Sequence, residues 1–442
     1  MHIIKKLSII GLPALLLLAS CNEVGRIDQI DENAPAPQAA SVTKVENKPG
    51  GAVIHYSIPN DDNILGVKAV YERNGETCES MASRYVDSLV VEGFGDTAER
   101  KVTVYSVGKN GKLSSGSSVT INPTIPPVKT ATFDIGATFG GLKVKLGNNP
   151  NNAALAIVII QDTLLTDDGK PASEIEWEDL FTFHTSAQEI TLNRRGLEAK
   201  RKLFGVYLRD RWGNLSDTIY RNLEPMEEIK LPTSSWKIFQ LPTDSNEVHE
   251  GLWWLYTPEH LWDGIYHDPS YCYASKPGPR VIWWTFDMGY TAIFSRAQMF
   301  HRTYEVWSGS GVRHFQIWGS MDPNRDGSWD DSWYLLGDFE PFKPSGYDED
   351  GLPGTITQED RDYWENTNEF EFPEEKTDDI PDVMRPARYF RLKLLDTFET
   401  YAAYLNADPD FEMTSVVYVI GELVLYGQMP NKEEKELYFK AN

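Results

Sequence analysis

The chain has 442 residues, of which 41% are hydrophobic and 12% aromatic, so it has enough apolar material for several packed cores and is not a disordered chain. Acidic residues outnumber basic ones by 66 to 42, and the formal net charge at pH 7 is −24. Without a cluster of lysines and arginines, such a charge excludes nucleic acid as a partner. It remains compatible with cations and with neutral ligands.

The N-terminus has the layout of a secretory signal peptide, which we assign to residues 1–20. Two lysines precede an apolar run of about a dozen residues, too short for a bilayer core of roughly 30 Å. The run ends in LASC at 18–21, which resembles the bacterial lipobox. The resemblance implies cleavage before Cys21 and lipid attachment to that cysteine. We expect an outer-membrane protein that is held by its lipid alone and faces the cell exterior.

Residues 21–40 are polar, acidic and contain prolines, a composition typical of an extended stalk. The two remaining cysteines, Cys78 and Cys272, fall in different predicted domains. We therefore expect the fold to be held by hydrophobic cores and not by a disulfide.

Short alternating strands separated by turn residues begin at 41, a pattern typical of a β-sandwich. The sequence GGAVIHY at 50–56 recurs as GGLKVKL at 140–146, an offset of 90. The strand and turn at 104–114 recur at 206–216, an offset of 102. The difference of 12 residues fits an insertion in the polar segment 162–180. Segments 41–127 and 128–230 are therefore predicted to be two copies of one module.

Both copies resemble fibronectin type III domains. The likeness is carried by the penultimate strand, which contains Tyr105 or Tyr207 and is followed by a Gly/Asn turn and a Leu-Ser pair. Tyr56 occupies the place of the tryptophan that is usual in the second strand. The resemblance implies that both modules act as spacers.

Eleven of the thirteen tryptophans lie between Trp236 and Trp364, which marks a third domain at 231–428, followed by a charged tail at 429–442. Within this domain, five motifs occur in the order found in the discoidin, or coagulation-factor type C, jelly roll, which this segment resembles. They are DG at 263–264, WTFDMG at 284–289, WGSMD at 318–322, ARYFRL at 387–392 and GELVLYG at 421–427. The predicted fold class is all-β, with two fibronectin III-like β-sandwiches followed by a discoidin-like jelly roll.

The lipobox, the tandem modules and the C-terminal domain together resemble accessory surface lipoproteins of starch-utilisation-type (Sus-like) glycan uptake systems. The resemblance implies a non-catalytic protein that binds glycan through its third domain. The motifs of serine hydrolases, zinc proteases, P-loop enzymes and dinucleotide-binding enzymes are absent from the sequence. The alternative is an adhesin or a scaffold subunit that contacts a protein partner, such as an outer-membrane transporter.

The discoidin resemblance also implies a structural calcium ion, because related sugar binders hold one between the Asp-Gly loop and the final strand. The matching residues are Asp263 and Glu422, with Asp268 and Ser270 as loop partners. Alternatively, Asp263 only caps a turn. A second loop, DPNRDG at 322–327, fits the first half of a calcium-binding loop but lacks the closing glutamate, so a tight polar turn explains it better.

The related sugar-binding modules contact sugar hydroxyls through a basic residue on the loop that follows the second core strand. Here the matching residue is Arg302. Nearby aromatic and histidine side chains on the two predicted rim loops are candidates to stack on or hydrogen-bond to sugar: His267, Tyr271, Tyr273, His301, Tyr304 and Trp307. For each of these aromatics, burial in the core is the alternative, and for the strand residues Trp283, Trp284 and Trp318 the core is preferred.

The segment 338–382 holds sixteen acidic residues against three basic ones and is too long for an ordinary hairpin connection. It is predicted to be an elaborated loop, either a solvated acidic face or a surface for cations or a partner. Exposed aromatics on the rim loops favour sugar binding. A buried rim beside an exposed acidic segment favours a protein partner.

Overall fold

The computed structural model describes residues 30–163, 175–245, 247–249, 256–266, 268, 270–302, 305–380, 383–405, 407 and 412–439. The signal peptide, Cys21 and most of the stalk lie outside this part of the chain, as do two candidate site residues, His267 and Tyr304. In the part that is described, no helix is long and apolar enough to cross a membrane.

The first module is a sandwich of two antiparallel sheets with strand orders β1-β2-β5 and β4-β3-β6-β7. Its strands are β1 Ser41–Lys48, β2 Gly51–Ser57, β3 Ile64–Arg73, β4 Glu76–Ser83, β5 Ser88–Glu92, β6 Arg100–Gly108 and β7 Ser117–Ile121. Alternate residues of both sheets point inward, and Tyr56 is 2% exposed within that core.

The second module has the same arrangement, with sheets β8-β9-β12 and β11-β10-β13-β14. Its strands are β8 Thr132–Thr138, β9 Gly141–Gly147, β10 Leu155–Asp162, β11 Trp177–Thr185, β12 Ile190–Arg195, β13 Lys202–Asp210 and β14 Ile219–Leu223. The predicted insertion falls between β10 and β11, whose counterparts β3 and β4 are joined by a tight turn. The predicted repeat is therefore seen in the strand order.

The repeated Gly-Gly pair has a physical cause in both modules. The first glycine, Gly50 or Gly140, has a φ of +65° or +66°, a conformation that other residues rarely adopt. The second, Gly51 or Gly141, lies so close to the neighbouring strand that a Cβ atom would meet a backbone carbonyl at 2.3 or 1.8 Å. The pair is thus required by the turn that opens the second strand of each sandwich.

The third domain is built on one large antiparallel sheet with the order β15-β24-β18-β22-β19-β20. The strands β16 and β21 also pair with β18, and β17 pairs with β23. Their bounds are β15 Ile229–Lys230, β16 Lys237–Ile238, β17 Tyr273–Ala274, β18 Ile282–Phe300, β19 Val312–Ser320, β20 Tyr334–Phe339, β21 Glu369–Glu371, β22 Ala387–Thr397, β23 Val419–Ile420 and β24 Glu422–Gln428.

The long strand β18 connects two parts of this sheet. Its first half pairs with β22 and its second half with β24, with an interruption between Asp287 and Ala292 where Gly289 has a φ of +80°. The sequence alone predicts two strands here, at 281–287 and 292–300, whereas the structure has one strand that changes partner between them. Residues on the inner faces form the largest core of the molecule, which includes Trp284, Phe286 and Phe390.

The described part of the chain also contains the helices α1 Pro127–Thr130, α2 Gln358–Asn366, α3 Phe398–Leu405 and α4 Lys432–Phe439. It has 3-10 turns at Pro150–Asn152 and Pro258–Trp262. With so little helix, the all-β class predicted from the sequence is confirmed, as two fibronectin III-like sandwiches and a discoidin-like domain.

The acidic segment 338–382 contains α2 and β21, and part of it contacts the second module. Arg195 donates from its two Nη atoms to Glu369 at 3.0 Å and to Glu371 at 2.9 Å. Farther along, Glu374 forms an ion pair with Lys143. Some carboxylates of this segment are therefore paired with basic side chains of the second module.

Candidate functional site

The Asp-Gly loop of the third domain lies beside the start of β24. The backbone N–H of Gly264 donates to both carboxylate oxygens of Glu422, at 3.1 and 3.3 Å, and Glu422 is 2% exposed. Burial raises the pKa of Glu422 to about 7, and the nearby negative charge of Asp263 acts in the same direction. The two carboxylates predicted as calcium ligands are thus close neighbours.

Asp263 also caps its own turn, which is the alternative that the sequence left open. Its Oδ1 accepts from the N–H of Ile265 at 2.8 Å, and its Oδ2 lies 2.7 Å from Nδ1 of His260. The capping role and proximity to Glu422 are both present in the structure, so neither excludes the other.

The remaining predicted calcium ligands do not join this pair. Asp268 accepts from the N–H of Ser270 at 2.8 Å within its own turn. Across the described part of the chain, no three His, Cys, Asp or Glu side chains form a group that could hold a metal ion. Of the four predicted ligands, Asp263 and Glu422 are the two that the structure shows as neighbours.

Oxygen atoms of the kind that a hard cation prefers lie next to Gly421, the residue before Glu422. A Cβ atom on Gly421 would lie 3.1 Å from the carbonyl oxygen of Phe300 and 3.4 Å from that of Tyr266, so backbone oxygens crowd the residue preceding Glu422. Carboxylates combined with backbone carbonyls are the ligands that calcium prefers. A buried carboxylate whose pKa is raised is also the kind of group that a cation returns to its ionised form.

Of the predicted sugar-binding residues, Tyr271 and Arg302 lie on an accessible rim. Tyr271 is 47% exposed, and its ring packs edge-on against His260 at 5.5 Å between centroids. Arg302 is half-buried. The fully buried Cys272 links the two loops, since Arg302 and Asp268 both lie close enough to influence the pKa of its thiol, which burial raises to about 11.

A carboxyl group accompanies the arginine on this rim. Burial raises the pKa of Glu305, and the positive charge of Arg302 opposes that shift. The rim thus presents a phenol ring, a guanidinium and carboxyl groups within two adjacent loops.

Three other predicted rim residues are buried and present no face to solvent. Tyr273 is 0% exposed and packs against Trp284 with ring centroids 4.7 Å apart. His301 is 4% exposed and stacks on Trp364 at 4.0 Å. Trp307 is 2% exposed. For these three side chains, the core alternative replaces the predicted contact with sugar.

Two tryptophans are more exposed than the sequence predicts. Trp283 and Trp318 were assigned to the core, yet both are only half-buried on the outer face of the sheet, whereas Trp284 is fully buried. The signal that identifies them is alternation: in β18 the side chains of Ile282, Trp284 and Phe286 point inward, so that of Trp283 must point outward.

Three family models match the chain, and each is described as a domain of unknown function. DUF4959 matches residues 37–123, DUF5126 matches 122–234 and DUF5000 matches 262–427. No curated protein matches the chain.

Among solved structures, the chain is similar to a SusE-like protein, with 27% identity, a TM-score of 0.39 and coverage of 69% of this chain and 99% of that one. A CBM32 module of a family 31 glycoside hydrolase from Clostridium perfringens is 12% identical, with a TM-score of 0.25 and coverage of 44% and 95%. A fucolectin from striped bass (Morone saxatilis) serum is 10% identical, with a TM-score of 0.27 and coverage of 68% and 85%.

The chain resembles a SusE-like protein. The resemblance that the sequence motifs predicted is thereby confirmed. What the chain itself binds has to be argued from its own residues.

Proposed function

We propose that this protein is a membrane-anchored surface lipoprotein that binds glycan through its third domain, as a non-catalytic accessory of a polysaccharide uptake system. The observation that supports it is the exposed Tyr271, on a loop whose next residue, the buried Cys272, has Arg302 and Asp268 near its thiol. An aromatic ring provides a flat apolar surface for the C–H face of a sugar. Charged groups at fixed positions beside it bind the hydroxyls.

The negative net charge of the chain disfavours one class of glycan, the anionic polysaccharides. A net charge of −24 repels polyanions over a Debye length of about 10 Å at 0.1 M salt. A neutral glycan is therefore expected to be a better ligand than a polyuronic or sulfated glycan.

The proposed anchor rests on the LASC motif, with Cys21 as the lipidated residue. Where the described chain begins, the end of the stalk is attached to the first module. Asn110 donates from Nδ2 to the carbonyl oxygen of Ala34 at 3.0 Å, and Lys112 donates to the same oxygen at 2.8 Å. In this proposal the two modules act as spacers between the membrane anchor and the binding domain, on the exterior side of the outer membrane.

A contact with a protein partner, such as an outer-membrane transporter, has weaker support. The acidic segment was its main candidate surface, and Glu369, Glu371 and Glu374 of that segment are engaged with the second module. The rim is also not wholly buried, because Tyr271 is exposed.

The test of the proposed function is a glycan array, followed by calorimetry on the glycan that binds. Tyr271→Ala and Arg302→Ala are each expected to weaken affinity at least about tenfold, a loss of roughly 1.4 kcal/mol. Tyr220→Ala is the matched control, since Tyr220 is 48% exposed on the second module. Unchanged binding in both rim variants would contradict the assignment of the site to the rim, and no binding of any glycan by the unmodified chain would contradict the proposed function.

We further propose that Asp263 and Glu422 contribute to a structural calcium site that fixes the Asp-Gly loop beside β24. The ion would supply positive charge to two neighbouring carboxylates, one of them buried. In this proposal its role is to order the rim and not to take part in chemistry.

Calcium is expected to raise the melting temperature of the third domain. Ligand binding at a hundredfold excess over Kd stabilises a fold by about 2.7 kcal/mol. Glu422→Gln should abolish the difference between calcium and chelator, measured by calorimetric melting. Asp326→Asn, in the alternative loop, should leave it intact, because Asp326 caps its own turn by accepting from the N–H of Ser328. A response lost in Asp326→Asn and kept in Glu422→Gln would place the ion in the other loop.

A further inference from the structure

A row of polar and aromatic side chains crosses the outer face of the third domain's sheet. Lys393 of β22 lies opposite Trp283 of β18 on one side and opposite Gln316 of β19 on the other. Gln316 in turn lies opposite Asp338 of β20. Because residues directly opposite each other in an antiparallel sheet project from the same face, these four side chains form one continuous surface.

Two more indoles lie on this surface. Trp318 is two residues beyond Gln316 on β19, and Trp329 comes from the loop between β19 and β20. The ring centroid of Trp329 is 5.1 Å from that of Trp318 and 5.5 Å from that of Trp283. Trp329 is 36% exposed, so the cluster presents aromatic surface to solvent.

The loop that carries Trp329 is held in place from below. Arg391 is fully buried, and its guanidinium lies 4.5 Å from the ring centroid of Trp329 and 4.3 Å from that of Trp333. The same guanidinium donates to the carbonyl oxygen of Gly327 at 2.9 Å. The aromatic surface is therefore fixed before any ligand arrives, which lowers the entropy lost on binding.

The polar side chains are oriented by one another. Trp318 donates from Nε1 to Oε1 of Gln316 at 3.0 Å, and Gln316 donates from Nε2 to Oδ2 of Asp338 at 2.8 Å. The other oxygen of Asp338 lies 2.5 Å from Nε2 of His314. Asp338 keeps 41% of its side chain exposed, so these groups remain accessible.

A cleft of about 400 Å3 opens along this surface, a size typical of small-molecule sites. The residues that line it are Gln316, Trp318, Tyr334, Leu335, Asp338, Asp379 and Arg385. Its two carboxylates are balanced by the guanidinium of Arg385 and the ammonium of Lys393 beside it. The guanidinium of Arg385 lies 3.6 Å from the ring centroid of Tyr334 and covers one face of that ring. A cleft with a flat indole ring, fixed hydrogen-bonding groups and no excess charge matches a neutral saccharide better than an anionic one.

We propose that this cleft is a second saccharide-binding site, which takes a neutral mono- or oligosaccharide, stacked on Trp318 and hydrogen-bonded to Gln316 and Asp338. It is separate from the rim, because Glu422 belongs to β24 and the cleft to β19 and β20, towards the other edge of the sheet. The inference deepens the proposed glycan binding, on which it rests, by giving the domain two surfaces for one polymer. When two sites of one protein bind the same polymer, the overall affinity exceeds that of either site alone.

The experiment is a titration of the full mature chain with neutral hexasaccharides of the cello-, malto-, xylo-, manno- and galacto- series, followed by intrinsic tryptophan fluorescence and by calorimetry. A galacturonate hexasaccharide serves as the anionic comparison. At least one neutral hexasaccharide is expected to change the emission. Trp318→Ala and Gln316→Ala should each weaken its affinity at least about tenfold.

Gln316→Ala is included because it removes a half-buried polar group and no aromatic ring, so it disturbs the packing of the domain less than Trp318→Ala does. Trp177→Ala on β11, a half-buried tryptophan of the second module, is the matched control. Tyr271→Ala on the rim separates the two sites.

Binding that is weakened by Tyr271→Ala alone would overturn the second site and leave the proposed function intact. If Trp318→Ala and Gln316→Ala weaken binding and Tyr271→Ala does not, the cleft is supported as a saccharide site and the rim is rejected as one. If only the galacturonate hexasaccharide binds, the assignment to neutral sugar is wrong. If no saccharide binds the unmodified chain, the second site and the proposed function fall together.

Discussion

Acidification is expected to destabilise the third domain because its folded state holds His301 as a neutral ring. His301 is 4% exposed and stacked on Trp364, and neither ring nitrogen has a hydrogen-bond partner among the described residues. Burial alone lowers its pKa to about 3. In the unfolded chain a histidine titrates near 6.5.

The sign of the effect follows from where the proton binds. Between about pH 6.5 and pH 3 the unfolded chain binds a proton at this position and the folded chain does not, so stability falls as the pH falls. The contribution of His301 is fully present above the unfolded pKa. It is lost by about 1.4 kcal/mol for each pH unit below that, up to about 5 kcal/mol as the pH nears 3.

The measurement is urea unfolding followed by tryptophan fluorescence, which reports mainly on the third domain because eleven of the thirteen tryptophans lie within it. His301→Phe keeps the stack on Trp364 and removes the titration, so its free energy of unfolding should vary less between neutral and acid pH. His184→Phe, at an exposed position of the second module, is the control. Equal pH dependence in the unmodified chain and in His301→Phe would show that His301 is not responsible.

Much of the fold is predictable from the sequence, because most strands bury one face. In β2 and β6 apolar and polar residues alternate, and the structure places the apolar ones in the core. β1 and β4, at the edges of their sheets, are among the strands that the sequence does not reveal. Of β4 no residue is fully buried, so its sequence carries little of the hydrophobic alternation from which a strand is recognised.

The candidate site is harder to predict, because the groups that bury a loop residue are distant in sequence. Trp307 lies in a predicted binding loop, but Trp364 of α2 packs against it at 4.6 Å between ring centroids. That helix belongs to the acidic segment, whose structure is not apparent from its composition. The capping box formed by Thr357 and Asp360 at the start of α2 is the local signal that would have revealed it.

The acidic segment shows why charge counts alone do not assign a surface. Its composition is that of a solvated face, yet Glu369 and Glu371 meet Arg195 of the second module. The complementary basic residues are too few and too scattered along the sequence to be recognised as a patch. Only the folded chain brings them opposite the glutamates.

Replacing Arg391 by alanine is expected to destabilise the third domain strongly, by about 3–5 kcal/mol, as is typical when one partner of a buried ion pair is removed. Nη2 of Arg391 lies 3.6 Å from Oδ1 of Asp244, and both side chains are 0% exposed. Burial already raises the pKa of Asp244, and the positive charge of Arg391 opposes that shift. Without the arginine, the carboxylate would remain buried with less compensation.

The double variant Asp244→Asn with Arg391→Ala separates the ion pair from packing. If the uncompensated carboxylate dominates the loss, the double variant should be more stable than Arg391→Ala alone, as urea unfolding would show. Arg388→Ala is the matched control on the same strand. Its side chain is 43% exposed in an ion pair with Asp287, so a smaller loss is expected. Losses of equal size in Arg388→Ala and Arg391→Ala would contradict the prediction.

The same variant also connects stability to binding. Arg391 does not line the saccharide cleft, but it holds the Trp329 loop through the carbonyl oxygen of Gly327. A looser loop makes the indole surface less ordered. Sugar binding must then order this surface, and the entropy lost in doing so lowers the affinity. Under conditions where Arg391→Ala remains folded, saccharide affinity at the cleft should therefore fall. Affinity at the rim, which Arg391 does not contact, should stay unchanged.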